Sequence, residues 1–515
     1  MHAVFLSHGY RDFERVDRVQ VEAAVEQRLR RIYVGGFDVF QIQGIDDEAR
    51  EPMLFLALLC HGASPAFVCE WALSAEPASA SYFERVFVQV QSRTMGESRE
   101  CDVVVAGGGP AGTTAAALLS RRGWNVTLFE RDTHPRFHIG ESLLPMNMPI
   151  LDQLGVLDRV RRIGVLKPGA DFTAGRNAAP HRSFCFSSAL RDSPAYAFQV
   201  RRSEFDALLF ENCLEAGVNA LEGHCVTSVV FGEPHCVNVR APDDSEQTWG
   251  CRYLIDASGQ ETLLATQERW RVRNPHHAAA AIFAHFEGVT ERSGGEAGNI
   301  SVYWFEAGWL WLIPLTGGVM SIGAVCRPAY LRKRRGSHDE FLRETIELCP
   351  GASARCRNAR QVMPSRVAAN YSYFSRRQVG AGYAMIGDAF AFVDPVFSSG
   401  VYLAMSSATR IVPVVERWLA GEQRAYRREA RRYGRTVRRG LDTFCWFIYR
   451  FTTPTMRRLF ERPRNLFKIE RAVVSMLAGD VYEGRELRLR LALFKTVYAI
   501  TRLVGRCARQ PVASP

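Results

Sequence analysis

Apolar positions in this chain fall into short buried runs and helical periods that alternate from Cys101 to about residue 410. The run "DVVVA", Asp102 to Ala106, reads as a strand covered on both faces. The segment "PAGTTAAALLS" that follows has the small, helix-forming composition of a crossover helix. A second apolar run, "NVTLFE", predicts another strand. Later strand signals are "YLI" before "DASG", and "WLWLIP", in which Trp309 and Trp311 alternate with aliphatic residues at strand spacing. "YAMIGDA" is another such run. Strands alternating with helices predict an α/β core over residues 95–410. Residues 411–515 read as helical throughout. Residues 1–94 read differently: "VEAAVEQRLRRI" has a helical period, "YFERVFVQVQS" a strand pattern, and neither carries a chemical motif. They form either a small appended domain or an extension upstream of a start at Met95.

Charge adds to this picture. The formal net charge is +11, and residues 411–515 hold 23 Lys/Arg against nine Asp/Glu, so the helical tail supplies the whole excess. Runs such as "RAYRREARRYGRTVRRG" and "FCWFIYRF" offer solvated helix faces or a landing surface for an acidic partner or a membrane. No nucleic-acid motif accompanies the charge, so nucleic acid is not an expected partner. At 515 residues, 47% hydrophobic and 23% charged, the chain has the composition of a soluble protein of two or three domains. No apolar run reaches the roughly 18 residues of a membrane span, and the opening turns polar at once, so the expected compartment is the cytoplasm. The 13 cysteines include no C-x-x-C pair, which argues against a zinc site or a disulfide framework; no metal is expected.

The candidate chemistry starts at the first turn. Gly107, Gly109 and Gly112 satisfy G-x-G-x-x-G between a strand and a helix, with Ala111 inside the motif. The glycines permit the tight turn, close approach of a pyrophosphate and helix–strand packing. The helix N-terminus offers free N–H groups to phosphate. Glu130 ends the second strand, placed for ribose hydroxyls. NAD and FAD both suit such a unit. "DASG" (Asp256 to Gly259) and Asp388 in "GDA", each after an apolar strand, favour FAD.

The ordered set of G-x-G-x-x-G…E, "RSEFD" with Arg202, "DASG" and "GDA" resembles the FAD-dependent monooxygenase superfamily. It implies a para-hydroxybenzoate-hydroxylase-like FAD-binding fold with a mixed-sheet substrate region and a helical C-terminal region. Arg202 then becomes an expected FAD contact. Three further segments, "IGESLLP", "WLWLIP" and "DPVFSSGV", resemble those of flavin-dependent halogenases, over roughly residues 98–500. The resemblance implies that reduced FAD activates O2, and that a bound halide takes the oxygen and becomes hypohalous acid. That acid would pass through a tunnel to a lysine near the substrate. Trp309, Trp311 and Pro314 form the motif thought to keep substrate off the flavin. Glu141 and Ser142 would line or gate the tunnel. Phe397, Ser398, Ser399 and Gly400 suit a halide pocket, since small residues let an anion approach backbone N–H groups.

In the carrier-protein and phenol branch of that family, a K-x-G-A-x-aromatic stretch carries the active lysine. Here that is Lys167 in "VLKPGADF". Tryptophan halogenases place a Glu before the small-residue pair and a lysine soon after the G-E loop. This chain has Phe397 at the first place and "MNMP" at the second. That departure points to a pyrrolyl, phenolic or other aryl group, often tethered to an acidic carrier protein. The chain shows no second dinucleotide fingerprint, so FADH2 is expected from a separate NAD(P)H flavin reductase. Two other readings stay open: an aromatic hydroxylase, and a catalytically lapsed flavoprotein that docks through its tail.

Overall fold

The computed structural model describes Leu29–Val34, Phe37–Ile42 and residues 99–507, except 174–180, 191–192, 276–277, 370–371, 462–465 and 483. The chain divides into two compact units, Met1–Gly96 and Glu97–Pro515. In the first, Leu29–Val34 pairs antiparallel with Phe37–Ile42, Val34 opposite Phe37. A helix expected over residues 21–32 therefore gives way to a strand at Leu29. The reason is local: Gly35-Gly36 is a two-residue hairpin signal between runs rich in β-branched and aromatic residues. The rest of that expected helix, and the strand expected at 82–92, lie outside the described residues.

The second unit is built on two sheets. In the first, Arg99–Ala106 is central. It pairs in parallel with Glu246–Asp256 on one side and with Val126–Phe129 on the other. Asn219–Leu221 adds a further parallel strand, and His235–Arg240 and Cys225–Val230 extend the opposite edge antiparallel. Val103, Val104 and Val105 have no exposed surface, as a parallel strand covered on both faces requires. Tyr383–Met385 joins in parallel beside Leu254–Asp256, which brings the chain's "GDA" turn next to "DASG".

The second sheet is mixed. Ala280–Glu287, Val319–Cys326, Gly308–Leu315 and Ile300–Trp304 form an antiparallel run, and Gly169–Thr173 then pairs in parallel with Ile300–Tyr303. Five helices follow: Ser399–Leu419, Gln423–Ile448, Pro454–Glu461, Ile469–Leu477 and Arg485–Cys507. The expected division at residues 410/411 falls inside the first of them. That helix packs against Pro110–Ser120, so the helical region is continuous with the nucleotide unit's core.

One expectation of the tail is overturned. "FCWFIYRF" is core, not a docking surface: Phe444, Phe447 and Phe451 are buried. Phe451 lies 5.0 Å from the Trp304 ring and 5.3 Å from Phe397. The arginine-rich stretch before it does face solvent, with Tyr426, Tyr433 and Val437 turned inward along the same helix.

Candidate active site

The glycine turn is held by contact, not only by flexibility. Gly107 has φ +111°, and a Cβ there would lie 2.4 Å from the Ala257 carbonyl oxygen. A Cβ on Gly112 would lie 1.9 Å from the Gly107 carbonyl oxygen. The helix Pro110–Ser120 has no side-chain cap at Gly109, so its first N–H groups stay available. Glu130 Oε2 accepts from the Gly108 N–H at 2.7 Å and Oε1 from the Asp132 N–H at 3.0 Å. Arg136 lies 3.3 Å from the same carboxylate.

Arg202 grips Asp206 through two bonds, 2.7 and 2.9 Å, and donates to the Ile139 carbonyl at 2.8 Å. It thereby ties the loop before Gly140 to its own helix. Burial works to raise the Asp206 pKa, but the Arg202 charge and hydrogen bonds hold it below the usual carboxylate value. Arg202 and burial together push His138 down to about 4, so this ring is neutral at physiological pH. Asp388 faces the cavity, and desolvation pushes its carboxyl up to about 7.

These groups surround a cavity of about 860 Å³, within the range of small-molecule and cofactor sites. Among the expected residues, Gly107, Gly109, Ala111, Glu130, Glu141, Ser142, Arg202, Trp309, Trp311, Asp388, Ser398 and Gly400 line it. Gly112, Lys167, Pro314, Phe397 and Ser399 do not. Gly112 acts beneath the turn. Pro314 sits within the mixed sheet opposite Met320. Phe397 is absorbed into the Phe447–Phe451 cluster. Ser398, at φ +55°, starts the helix Ser399–Leu419 and does not cap it with its side chain. That uncapped N-terminus opens beside the cavity, a place suited to an anion.

Trp309 and Trp311 form one wall, their rings 5.8 Å apart. Trp311 Nε1 donates to Ser321 Oγ at 3.2 Å. Its ring lies over Gly323, where a Cβ would be 2.3 Å from the indole. Phe283 and Phe137, 6.2 Å apart and nearly parallel, continue the wall, and Arg366 covers Phe137 at 4.3 Å. Sequence reasoning missed Phe137, Phe283 and Arg366, because single aromatic and basic residues carry no spacing signal.

The "IGESLLP" loop divides its two polar residues between two partners. Glu141 Oε1 is 2.8 Å from His285 Nε2, both buried. Ser142 Oγ accepts from Lys167 Nζ at 2.8 Å, and Nζ also donates to the Leu143 carbonyl at 2.8 Å. Lys167 is fully enclosed, with the Phe186 ring 5.4 Å away. Burial pushes its amine down to about 7. It lies behind the cavity wall, reached past Ser142. His285 was also missed, although a lone polar residue inside the apolar run "AAAAIFAHF" is a detectable signal. Removing one partner of a buried hydrogen bond leaves the other desolvated and unsatisfied. His285→Leu is therefore expected to cost about 3 kcal/mol in urea unfolding, and His285→Gln, which keeps a donor, clearly less.

Beside Lys167, Asp171 is buried and accepts from Ser183, Asn299 and Arg292 at 2.5, 2.8 and 3.1 Å. Glu296 lies 2.6 Å from His181 and 2.6 Å from the same Ser183 hydroxyl, whose single hydrogen the two carboxylates share. The ligand atoms of Asp171, His181 and Glu296 lie within 4.8 Å of one another. Their bonds to neighbours, the Arg292 cation included, make this a polar brace for the strand Gly169–Thr173.

A family model described as tryptophan halogenase matches residues 102–194 and 176–459. The chain is 35% identical to a tryptophan 2-halogenase of Chondromyces crocatus, over 62% of each chain. It thus spans less than two thirds of that relative's length. It is 28% identical to the 1H-pyrrole-2-carbonyl peptidyl-carrier-protein chlorinase of Pseudomonas fluorescens, over 75% of this chain and 91% of that one. Among solved structures, the myxobacterial chondrochloren halogenase CndH aligns with TM-score 0.65 and 31% identity. That alignment covers 77% of this chain and 97% of its own.

Proposed function

We propose a substrate class and a halogen relay for this chain, which belongs to the flavin-dependent halogenase family. The reaction is chlorination or bromination of an electron-rich aromatic, pyrrolyl or phenolic and tethered to a carrier protein. FADH2, O2 and halide are the co-reactants, and a separate NAD(P)H flavin reductase supplies the reduced cofactor.

The site fits FAD. Gly107 and Gly112 leave no room for a Cβ, Glu130 closes the second strand, and Arg202 and Asp388 line the same cavity. These residues would hold the cofactor; activation of O2 is the chemistry it supplies when reduced and bound. The helix N-terminus at Ser398–Gly400 would hold the halide through backbone N–H groups. The wall of Trp309 and Trp311 would exclude the aromatic substrate from the flavin side.

The observation that carries the relay is the setting of Lys167. A neutral amine has two hydrogens to donate and one lone pair. Ser142 Oγ and the Leu143 carbonyl take both hydrogens, which leaves the lone pair free. Burial makes the neutral form accessible near pH 7. Hypohalous acid leaving the cavity past Ser142 meets this nitrogen. Nζ takes the halogen, water leaves, and the halogen then passes to the aryl carbon, whose proton returns to Nζ. The exposed arginines of Gln423–Ile448 offer an acidic carrier its landing surface.

Of the two relatives, one is named for tryptophan and one for a pyrrole on a carrier. The test is mass spectrometry of free tryptophan, free phenols and aryl-loaded carrier proteins, each incubated with enzyme, flavin reductase and either halide. A halogen isotope pattern on the loaded carrier is expected. Halogenation confined to free tryptophan would overturn the substrate class, and gain of one oxygen without halogen would mark a hydroxylase.

A further inference from the structure

The C-terminal helix Arg485–Cys507 turns Leu487, Leu491, Phe494 and Tyr498 into the core. Trp446 packs against that inner face, 6.1 Å from Phe494 and 5.4 Å from Tyr498. Its outer face is also apolar. Leu489, Leu493, Val497, Ile500, Leu503 and Val504 are 38% to 62% exposed. Ala492, Thr496 and Ala499 fill the spaces between them. At 100° per residue these positions make one arc of roughly 160°, running about 22 Å along the axis. Within the arc, among the described residues, no side chain is charged.

Charge is concentrated on one rim. Arg488, Lys495 and Arg502 recur every seven residues and so form a ridge along the arc's edge. The Lys495 stem packs on Trp446, its Nζ 5.2 Å from the ring. Between residues 487 and 515 there are six Lys/Arg and no Asp or Glu. A helix that buries one apolar face needs no second one for folding. Monomers rarely expose apolar patches of this continuity unless something binds there.

We propose that this face lies on an anionic lipid surface. The arc lies on the outer side of one helix, and so is convex. Its exposed residues are short and aliphatic, and it has none of the Trp, Tyr or Arg anchors that concentrate energy at protein interfaces. An aliphatic face with a basic ridge at its rim, its one acid on the same helix (Glu486) lying before the arc and paired with Arg490 at 2.9 Å, is the pattern of helices that lie in the plane of a membrane. No described helix is long and apolar enough to cross one, so the contact is peripheral. The inference is independent of the proposed reaction.

The experiment is flotation of the full-length protein with phosphatidylcholine vesicles, with and without phosphatidylglycerol. Binding is expected to the anionic vesicles and to fall steeply with salt. Arg488→Ser/Lys495→Ser/Arg502→Ser should weaken it by roughly 100-fold, since each surface cation contributes about fivefold. Leu493→Glu/Ile500→Glu should weaken it at least tenfold. Leu493→Glu/Ile500→Glu should unfold at the wild-type temperature, because both side chains face outward; the triple Ser variant should stay folded and unfold slightly earlier, because it gives up the Lys495 contact with Trp446. Failure of the wild type to float with anionic vesicles overturns the proposal, as does flotation that neither variant changes. A wild-type dimer that the Glu variant dissociates, with no flotation, assigns the face to a second copy of the chain. Saturable binding of an acidic carrier protein to this face, with no flotation, assigns it to that partner.

Discussion

Lys167→Ala is expected to lower halogenated product on the order of a thousandfold, the scale of losing a positioned acid–base group. Flavin retention and halide-dependent formation of hypohalous acid should persist, because Lys167 does not line the cavity. The comparison is product mass spectrometry beside a monochlorodimedone assay for free hypohalous acid. A variant that keeps halogenating rules out the relay; one that loses both products puts the lesion upstream of it. The wild-type rate should rise with pH through about 7, where the buried amine becomes neutral. The same residue has a thermodynamic signature. Its folded-state pKa lies below its unfolded value, so the unfolded chain binds more protons between about pH 7 and the normal lysine range. Stability attributable to this group therefore rises with pH across that window, and the cost of burying the charge is complete below it. Lys167→Met should be more stable than wild type at and below pH 7, by a few kcal/mol, and the margin should shrink toward pH 10 in urea titrations. A margin that does not change with pH would show the amine to be normally basic in the fold.

Gly112→Ala is expected to abolish flavin retention on gel filtration and to cost about 3 kcal/mol in stability. The added carbon would stand 1.9 Å from the Gly107 carbonyl oxygen. That atom belongs to the turn's own backbone and cannot swing aside as a side-chain tip could. The turn must open, and opening displaces both the pyrophosphate cradle and the Gly107–Ala257 contact. Gly109→Ala, whose nearest neighbour is the Arg136 tip at 3.9 Å, should cost far less stability. The pair separates crowding under the turn from loss of glycine as such. Equal losses in both variants would remove crowding as the cause.

How much of this was legible in the chain depended on whether a residue acts through spacing or through a distant partner. The nucleotide unit was legible because strand, glycine turn, helix and acidic strand end are contiguous, and their order is the function. The tryptophan wall was legible from alternation at strand period. Lys167 could be named from its local motif and from the lysine missing after "MNMP". Its two acceptors, however, sit more than 20 residues away and meet it only in the fold. The Glu141–His285 pair spans 144 positions, and no local pattern announces such a pair. The apparent docking stretch "FCWFIYRF" misled because an aromatic helix face reads alike whether it covers a core or a partner. The exposed arc of the C-terminal helix went unnoticed for the converse reason: that helix carries two apolar faces divided by basic residues, and sequence alone does not say which face is covered until its neighbours are known.

The seating of Trp311 bears on when the site discriminates. The indole rests on Gly323, bonds Ser321 through its nitrogen and is flanked by Trp309 and Phe283. A ring held in this way behind its cavity-facing side is a fixed wall and not a door. If the wall sorts small oxidant from bulky aromatic as proposed, that sorting needs no motion before each turnover, and the ratio of halogenation to oxygenation should be indifferent to solvent viscosity. What such a wall admits would then be decided when the chain folds.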